Sequence, residues 1–175
     1  MAASANFAEQ ALRHLDSLHN FAIYLSRNNH DADDLVQETY LRAFRFAHQF
    51  EPGTNLRAWL FQILMNTFRT FYRHREREPV IVDQEWPEAS PTQLENRKDW
   101  EVTAGLALTA LDLEKALTGL SSDFRSVLLL ADLEGFQLEE IALIMDCPVG
   151  TVKSRLFRAR RLLREALRDY DWKGK

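Results

Sequence analysis

Apolar residues recur at three- and four-residue steps along most of this chain, and the rhythm lapses in one stretch. Phe7, Leu12, Leu15, Leu18, Ile23 and Leu25 predict one helix over 6–27. Asn28-Asn29-His30-Asp31 then reads as a turn, with Asp31 as N-cap of a second helix over 31–49. Leu35, Val36, Tyr40, Ala43, Phe44 and Ala47 form its inward face. Glu51-Pro52-Gly53 breaks the chain, and Thr54 or Asn55 caps a third helix running to about residue 77. Its inner face is Leu56, Leu60, Ile63, Leu64, Thr67, Phe68 and Phe71. From Glu78 to Glu101 the period fails: Pro79, Pro87 and Pro91 stand among acids, as in an irregular linker, although Trp86 and Trp100 suggest parts that dock. Helices resume over 104–118, end at Gly119, restart behind Ser121 or Ser122 to about Leu133, and close at Gly135. The expected fold is all-α: two small helical units, 1–78 and 104–175, joined by an acidic linker over 79–103.

The most patterned stretch is 137–168. Leu138, Ile141, Ala142 and Met145 lie on one face of a short helix that stops at Asp146-Cys147-Pro148. Proline ends a helix from within but suits the first turn of the next. Gly150 permits close approach at the start of the second helix, and Thr151 is a candidate local cap. Val152, Leu156, Ala159, Leu163 and Leu167 then make a buried stripe. Lys153, Arg158, Arg160, Arg161, Arg164 and Arg168 lie mostly off that stripe, with Glu165 as the one acid noted among them. A turn, a buried face and a basic face in register describe a helix-turn-helix whose second helix suits a DNA major groove.

Charge distribution adds to this where net charge does not. The chain carries −4 overall with a pI near 5.8, so its bulk charge does not announce nucleic-acid binding. Residues 57–77, however, hold Arg57, Arg69, Arg73, Arg75 and Arg77 against Glu76 alone, while 78–101 hold seven acids against Arg97 and Lys98. Two basic regions flank an acidic one. Along 55–73 the cations interleave with Trp59, Phe61 and Tyr72, a pattern that suits unpaired nucleic acid: charge follows the backbone and rings stack on bases. Trp59 taken alone reads more readily as core. Asp31, Asp33 and Asp34 favour the dipole of the second helix, whereas Gln37 and Glu38 lie beyond its first turn and offer an acidic surface to a basic partner.

No catalytic, phosphate-cradling or metal-ligand spacing is evident, and His14, His19 and His30 lack suitable partners. The one cysteine, Cys147, excludes an internal disulfide. Neither a signal peptide nor a long apolar run is evident, so a soluble cytoplasmic protein with no cofactor, no small-molecule substrate and no direct membrane insertion is expected.

Taken together, 31–46 (DADDLVQETYLRAFRF), 55–77 (NLRAWLFQILMNTFRTFYRHRER) and 137–164 resemble bacterial RNA polymerase sigma factors of the extracytoplasmic-function group, in that family's order and spacing. The resemblance implies a sigma-2 bundle of three to four helices and a four-helix sigma-4 domain bearing the helix-turn-helix. Sigma-2 would bind the polymerase clamp helices through Asp34, Leu35, Gln37 and Glu38. It would melt the −10 element with Asn55, Arg57, Trp59, Asn66, Arg69 and Arg73. Sigma-4 would bind the polymerase flap and read the −35 element through Gly150, Thr151, Lys153, Ser154, Phe157, Arg158 and Arg160. The partners implied are core polymerase, promoter DNA and an anti-sigma factor; the role implied is not enzymatic. Asp146 departs from the glycine many such turns carry. A stand-alone helix-turn-helix regulator would share 137–168 without needing 31–77. A sigma mimic that binds an anti-sigma factor would share the fold yet could dispense with Lys153, Arg158 and Arg160. The pattern leaves the placement of the two units open.

Overall fold

The structure is a computed structural model that describes residues 2–75 and 113–167, with side chains described over 6–71 and 113–167. The expected linker and Arg168 fall outside these residues, and so does the side chain of Arg73.

Four helices form the N-terminal bundle: α1 (Ala2–Leu12), α2 (Leu15–Ser26), α3 (Asn29–Arg45) and α4 (Leu56–Arg75). A single 3-10 turn, Ala47–Gln49, follows α3. The helix expected over 6–27 is therefore two. The backbone tightens at Arg13-His14, where the His14 amide donates to the Ala11 carbonyl at 3.1 Å, an i−3 bond that breaks the α ladder. The same Ala11 carbonyl accepts from the Tyr40 hydroxyl at 2.8 Å, tying the break to α3. α3 begins earlier than expected because Asn28, not Asp31, is its N-cap: the Asn28 side-chain oxygen accepts from the amides of His30 at 2.8 Å and Asp31 at 3.4 Å.

The C-terminal unit contains α5 (residues 113–118), α6 (Ser122–Leu128), a π-helical turn (Leu129–Leu133), α7 (Leu138–Met145) and α8 (Val149–Ala166). Ser121 caps α6 through the Phe124 amide at 3.4 Å. The π turn arises because the Glu134 amide reaches back to the Leu129 carbonyl at 2.9 Å, and Gly135 follows with φ +69°. This extra residue per turn re-aims Glu134 and Phe136 toward the N-terminal bundle.

The two units share one continuous core. α4 packs against α7, and the C-terminal end of α2 against α6. Phe61 is fully buried, its ring centroid 5.1 Å from Phe21 within the bundle and 5.0 Å from Phe136 of the other unit, edge to face. Phe71, expected on the inner face of α4, is instead 48 % exposed. α4 does, however, bury Phe61 and Met65, which lie off the stripe read from its spacing, because it packs against both α3 and α7. A buried arginine joins the halves at their other meeting point. Arg125 is 4 % exposed and donates to the carbonyls of Leu117 at 2.9 Å and Leu120 at 2.7 Å, and across to Tyr24 and Leu25 of α2 at 3.4 Å each. It thereby gathers carbonyls at the C-terminal ends of two helices, which carry partial negative charge.

Candidate nucleic-acid interface

The helix-turn-helix forms as the pattern demands. Ile141, Ile144 and Met145 of α7 and Val152, Leu156 and Ala159 of α8 are buried, so both helices are anchored by their inner faces. Asp146 joins them at φ +49°, ψ +54°. It takes up the left-handed backbone that glycine would adopt, at a strain that aspartate and asparagine tolerate better than other residues. Thr151 does not cap α8: it lies inside the first turn, its amide donating to the Pro148 carbonyl at 2.9 Å and its carbonyl accepting from the Ser154 hydroxyl at 3.0 Å. Gly150 is exposed, and a Cβ there would meet no atom within 4 Å, so this turn is open to an incoming backbone.

Anchoring the inner face leaves Lys153, Ser154, Phe157 and Arg158 on the outside of α8, with Phe157 70 % exposed. Lys153, Phe157, Arg160, Arg161 and Arg164 line a shallow groove floored by Leu138 and Leu156. Arg160 is partly committed: its guanidinium donates to both Asp132 carboxylate oxygens, at 3.1 and 2.5 Å. Arg155, which the sequence pattern did not single out, pairs with Asp123 at 2.6 Å and ties α8 to α6.

The cations of α4 sit differently. Asn55 caps α4, its side-chain oxygen accepting from the Ala58 amide at 3.1 Å, while its Nδ2 donates to Glu140 at 2.6 Å. Arg57 donates to the Glu134 carbonyl at 2.9 Å and forms an ion pair with the Glu134 carboxylate; its guanidinium lies 4.4 Å from the Phe136 ring centroid. Burial pushes the Glu134 carboxyl above its ordinary range, and the neighbouring Arg57 charge offsets part of that rise. Arg69 donates to the Met145 carbonyl at 2.6 Å. Trp59 is half-buried between Phe7 at 6.1 Å and Phe50 at 5.5 Å, in an aromatic cluster that closes α1 over α4. Its ring is a packing element. Asn66 is exposed.

On α3, Asp34, Gln37 and Glu38 face outward, whereas Leu35 is 2 % exposed and anchors the helix from within. His30 approaches Asp34 at 3.2 Å, and Arg42 donates to Glu38 at 2.6 Å. Beside them runs a groove lined by Leu12, Leu15, His19, Gln37, Tyr40 and Phe44, with His19 bonded to Asp33 at 2.8 Å. Leu12, Leu41 and Phe44 are 52 %, 59 % and 43 % exposed. Leu12, Leu15 and Phe44 keep the apolar period of their helices, so periodicity hides their exposure; Leu41 lies off the stripe, the one signal available.

A region of 68 residues, 11–78, matches the family model Sigma-70 region 2, and residues 110–163 match Sigma-70, region 4. The ECF RNA polymerase sigma factor EcfG of Rhodopseudomonas palustris is 43 % identical over 155 residues, covering 89 % of this chain and 81 % of that protein. The chain belongs to the ECF RNA polymerase sigma factors of the sigma-70 family. The ECF RNA polymerase sigma-E factor of Haemophilus influenzae is 33 % identical over 80 % of this chain and 75 % of its own length. Among solved structures, this sigma factor is similar to RpoE of Bartonella quintana in complex with the anti-sigma factor NepR, at 34 % identity and TM-score 0.75, covering 93 % of this chain and 97 % of that one. It is also similar to CnrH in complex with the cytosolic domain of CnrY, at 28 % identity and TM-score 0.66 over 97 % and 95 % of the two chains. As an ECF sigma factor the chain acts in transcription initiation, a non-catalytic role, with a sigma-2 domain containing α2–α4 and a sigma-4 domain containing the helix-turn-helix. Among the described residues, no helix is long and apolar enough to cross a membrane.

Proposed function

We propose that this sigma factor directs core RNA polymerase to promoters by reading a −35 element with α8 and holding unpaired −10 bases against α4. The observation that carries the reading is the two-sidedness of α8: Val152, Leu156 and Ala159 fix the helix, and Lys153, Ser154, Phe157 and Arg158 stand together on its solvent face. Gly150 and Thr151 lie where a phosphate backbone passes the helix start, and Arg160 reaches DNA by exchanging Asp132 for it. Asn55, Arg57, Asn66, Arg69 and Arg73 serve the −10 strand, and Trp59 shapes the surface under them. Polymerase association falls to the outward acids of α3, Asp34 and Glu38, with Gln37, beside the apolar groove at Leu12 and Phe44. Residues 1–78 then form the core-binding and melting unit, 104–175 the −35 unit, and 79–103 the acidic connection. Melting is driven by capture of unpaired bases, so no nucleotide hydrolysis enters.

The complexes of its structural relatives with NepR and CnrY support an anti-sigma factor as a further partner of this chain. The region 2 match gives the N-terminal half a purpose that a stand-alone regulator lacks.

Arg158→Ala tests the reading. A lost base contact costs about 1–3 kcal/mol of discrimination, and each lost phosphate contact lowers the log–log salt slope by about 0.9. Footprinting of the reconstituted holoenzyme should show weakened −35 protection with core association intact; an equal loss of core association would reject this assignment.

A further inference from the structure

Two aspartates of the α6 segment grip α8 from beside its DNA-facing set. Arg155 Nη2 lies 2.6 Å from Asp123 Oδ2, and Arg160 donates to both oxygens of Asp132. Asp123 stands in the first turn of α6, whose start Ser121 caps, and Asp132 in the π turn that follows. At 3.6 residues per turn, Arg155 and Arg160 flank the buried stripe of Val152, Leu156 and Ala159 on opposite sides. Rolling α8 about its axis therefore disturbs both pairs. They differ in exposure: the Arg155 side chain is 27 % exposed against 50 % for Arg160. Arg155 Nη1 also lies 4.0 Å from Cys147 Sγ, so one guanidinium touches α6, the turn and, through its own backbone, the reading helix. Once Arg160 has left Asp132 for DNA, the Asp123–Arg155 pair is the remaining one of these two restraints on roll. Roll matters because bonds to base edges require side chains within about 0.5 Å and 10–20° of their working geometry.

We propose that Asp123 is a positioning residue for −35 recognition: through Arg155 it sets the roll of α8, and with it the direction of Lys153, Ser154, Phe157 and Arg158, without touching DNA. The proposal rests on the −35 role given to α8 above. It reverses the sign that charge alone would give. Removing an acid beside a DNA-binding helix strengthens attraction to any duplex. Removing the strut instead weakens the hold on the correct sequence, because base contacts specify and phosphate contacts only position. Asp123 and Arg155 carry opposite charges, so their removal should act in opposite directions if charge decides, and in the same direction if the strut does.

The experiment uses the full chain assembled with purified core polymerase. The wild-type holoenzyme selects a promoter duplex from a random pool, and a second duplex carries the same sequence with its upstream block scrambled. Gel shift gives Kd on both duplexes for wild type, D123A, R155M, D123A/R155M, D123E and R158A. Part-exposed ion pairs contribute little to folding, and circular dichroism with a core pull-down confirms that each variant folds and assembles; D123N serves if D123A does not. On the selected duplex, Kd should rise at least about fivefold for D123A and for R155M, the worth of one displaced base-edge contact. The double variant should be no worse than either single one, as for two residues acting as a unit, and D123E should recover most of the loss. On the scrambled duplex, neither D123A nor R155M should weaken binding by that factor. A Kd on the selected duplex that is unchanged or lower for D123A would overturn the proposal. So would a loss of equal size on both duplexes for R155M, which would make Arg155 a plain phosphate contact. R158A separates the two failures: if it too leaves the selected duplex unaffected, α8 is not the reader, and if it weakens binding, the reader stands and only the strut falls.

Discussion

Replacing Arg125 with methionine should destabilise the fold although neither the helix-turn-helix nor α4 is touched. The guanidinium is 4 % exposed and makes two short bonds, to the Leu117 and Leu120 carbonyls at 2.9 and 2.7 Å, besides the longer ones that reach Tyr24 and Leu25. Bonds from a charged donor contribute about 1.5–3 kcal/mol each, so the two short ones are worth roughly 3–6 kcal/mol together by the same scale. Burying the charge itself works against this sum by several kcal/mol, and methionine restores some apolar packing. The net loss expected is about 2 kcal/mol, a fall in Tm of about 4–8 °C for a chain of this size. Lysine at the same position keeps the charge but not the planar fan of donors, so Arg125→Lys should recover less than half of the loss. Thermal unfolding followed by circular dichroism measures both variants. A methionine variant as stable as wild type would refute the claim that Arg125 joins the halves through helix-end carbonyls.

Three further outcomes follow from particular residues. Asp146→Gly should leave stability unchanged or raise it by up to about 1 kcal/mol, and Asp146→Val should lower it by about 1–2 kcal/mol, since a β-branched residue tolerates φ +49° poorly; urea titration of the two variants would show the order, and the reverse order would contradict the turn geometry. Glu38→Arg should abolish association with core polymerase in a pull-down while −35 duplex binding by the chain persists; retained association would remove α3 from the polymerase surface. Tyr40, held to the Ala11 carbonyl, has its hydroxyl pushed up to about 12 by burial first and by Asp16 second. Its folded pKa lies above the unfolded value of 10, so the stability it contributes is whole below pH 10 and lost as pH rises toward about 12. Tyr40→Phe should flatten that part of the stability curve, measured by denaturant midpoints across alkaline pH; an unchanged curve would assign the alkaline loss to other groups.

The helix-turn-helix was legible because one local period carries both its buried and its exposed face: Val152, Leu156 and Ala159 lie inside as their spacing requires. The all-α fold was legible for the same reason. What escaped depends on contacts distant in sequence. Phe61, grouped by sequence with rings that could stack on unpaired bases, is instead fully buried, and its edge-to-face contact with Phe136 at 5.0 Å shows only once α4 meets the segment leading into α7. Arg125 reads as one more cation in α6, since nothing local shows that Leu25 ends its helix beside it. The break at Arg13-His14 lacks glycine or proline, and Leu12 and Leu15 keep the helical step straight through it. The left-handed turn at Asp146 shows the opposite case, in which an unusual residue adopts the backbone the motif requires. Among the candidate site residues, burial separates Leu35 and Trp59, which shape their surfaces, from Gln37, Lys153 and Arg158, which present them.

The proposed function is to confer promoter choice on core polymerase through two separate DNA contacts. Purified core polymerase, incubated with the chain and genomic DNA, would be assayed by mapping transcript 5′ ends. Start sites should appear only with the chain and share two sequence blocks upstream, dependence on one of them being lost with Arg158→Ala. Transcription no different from core polymerase alone would contradict it.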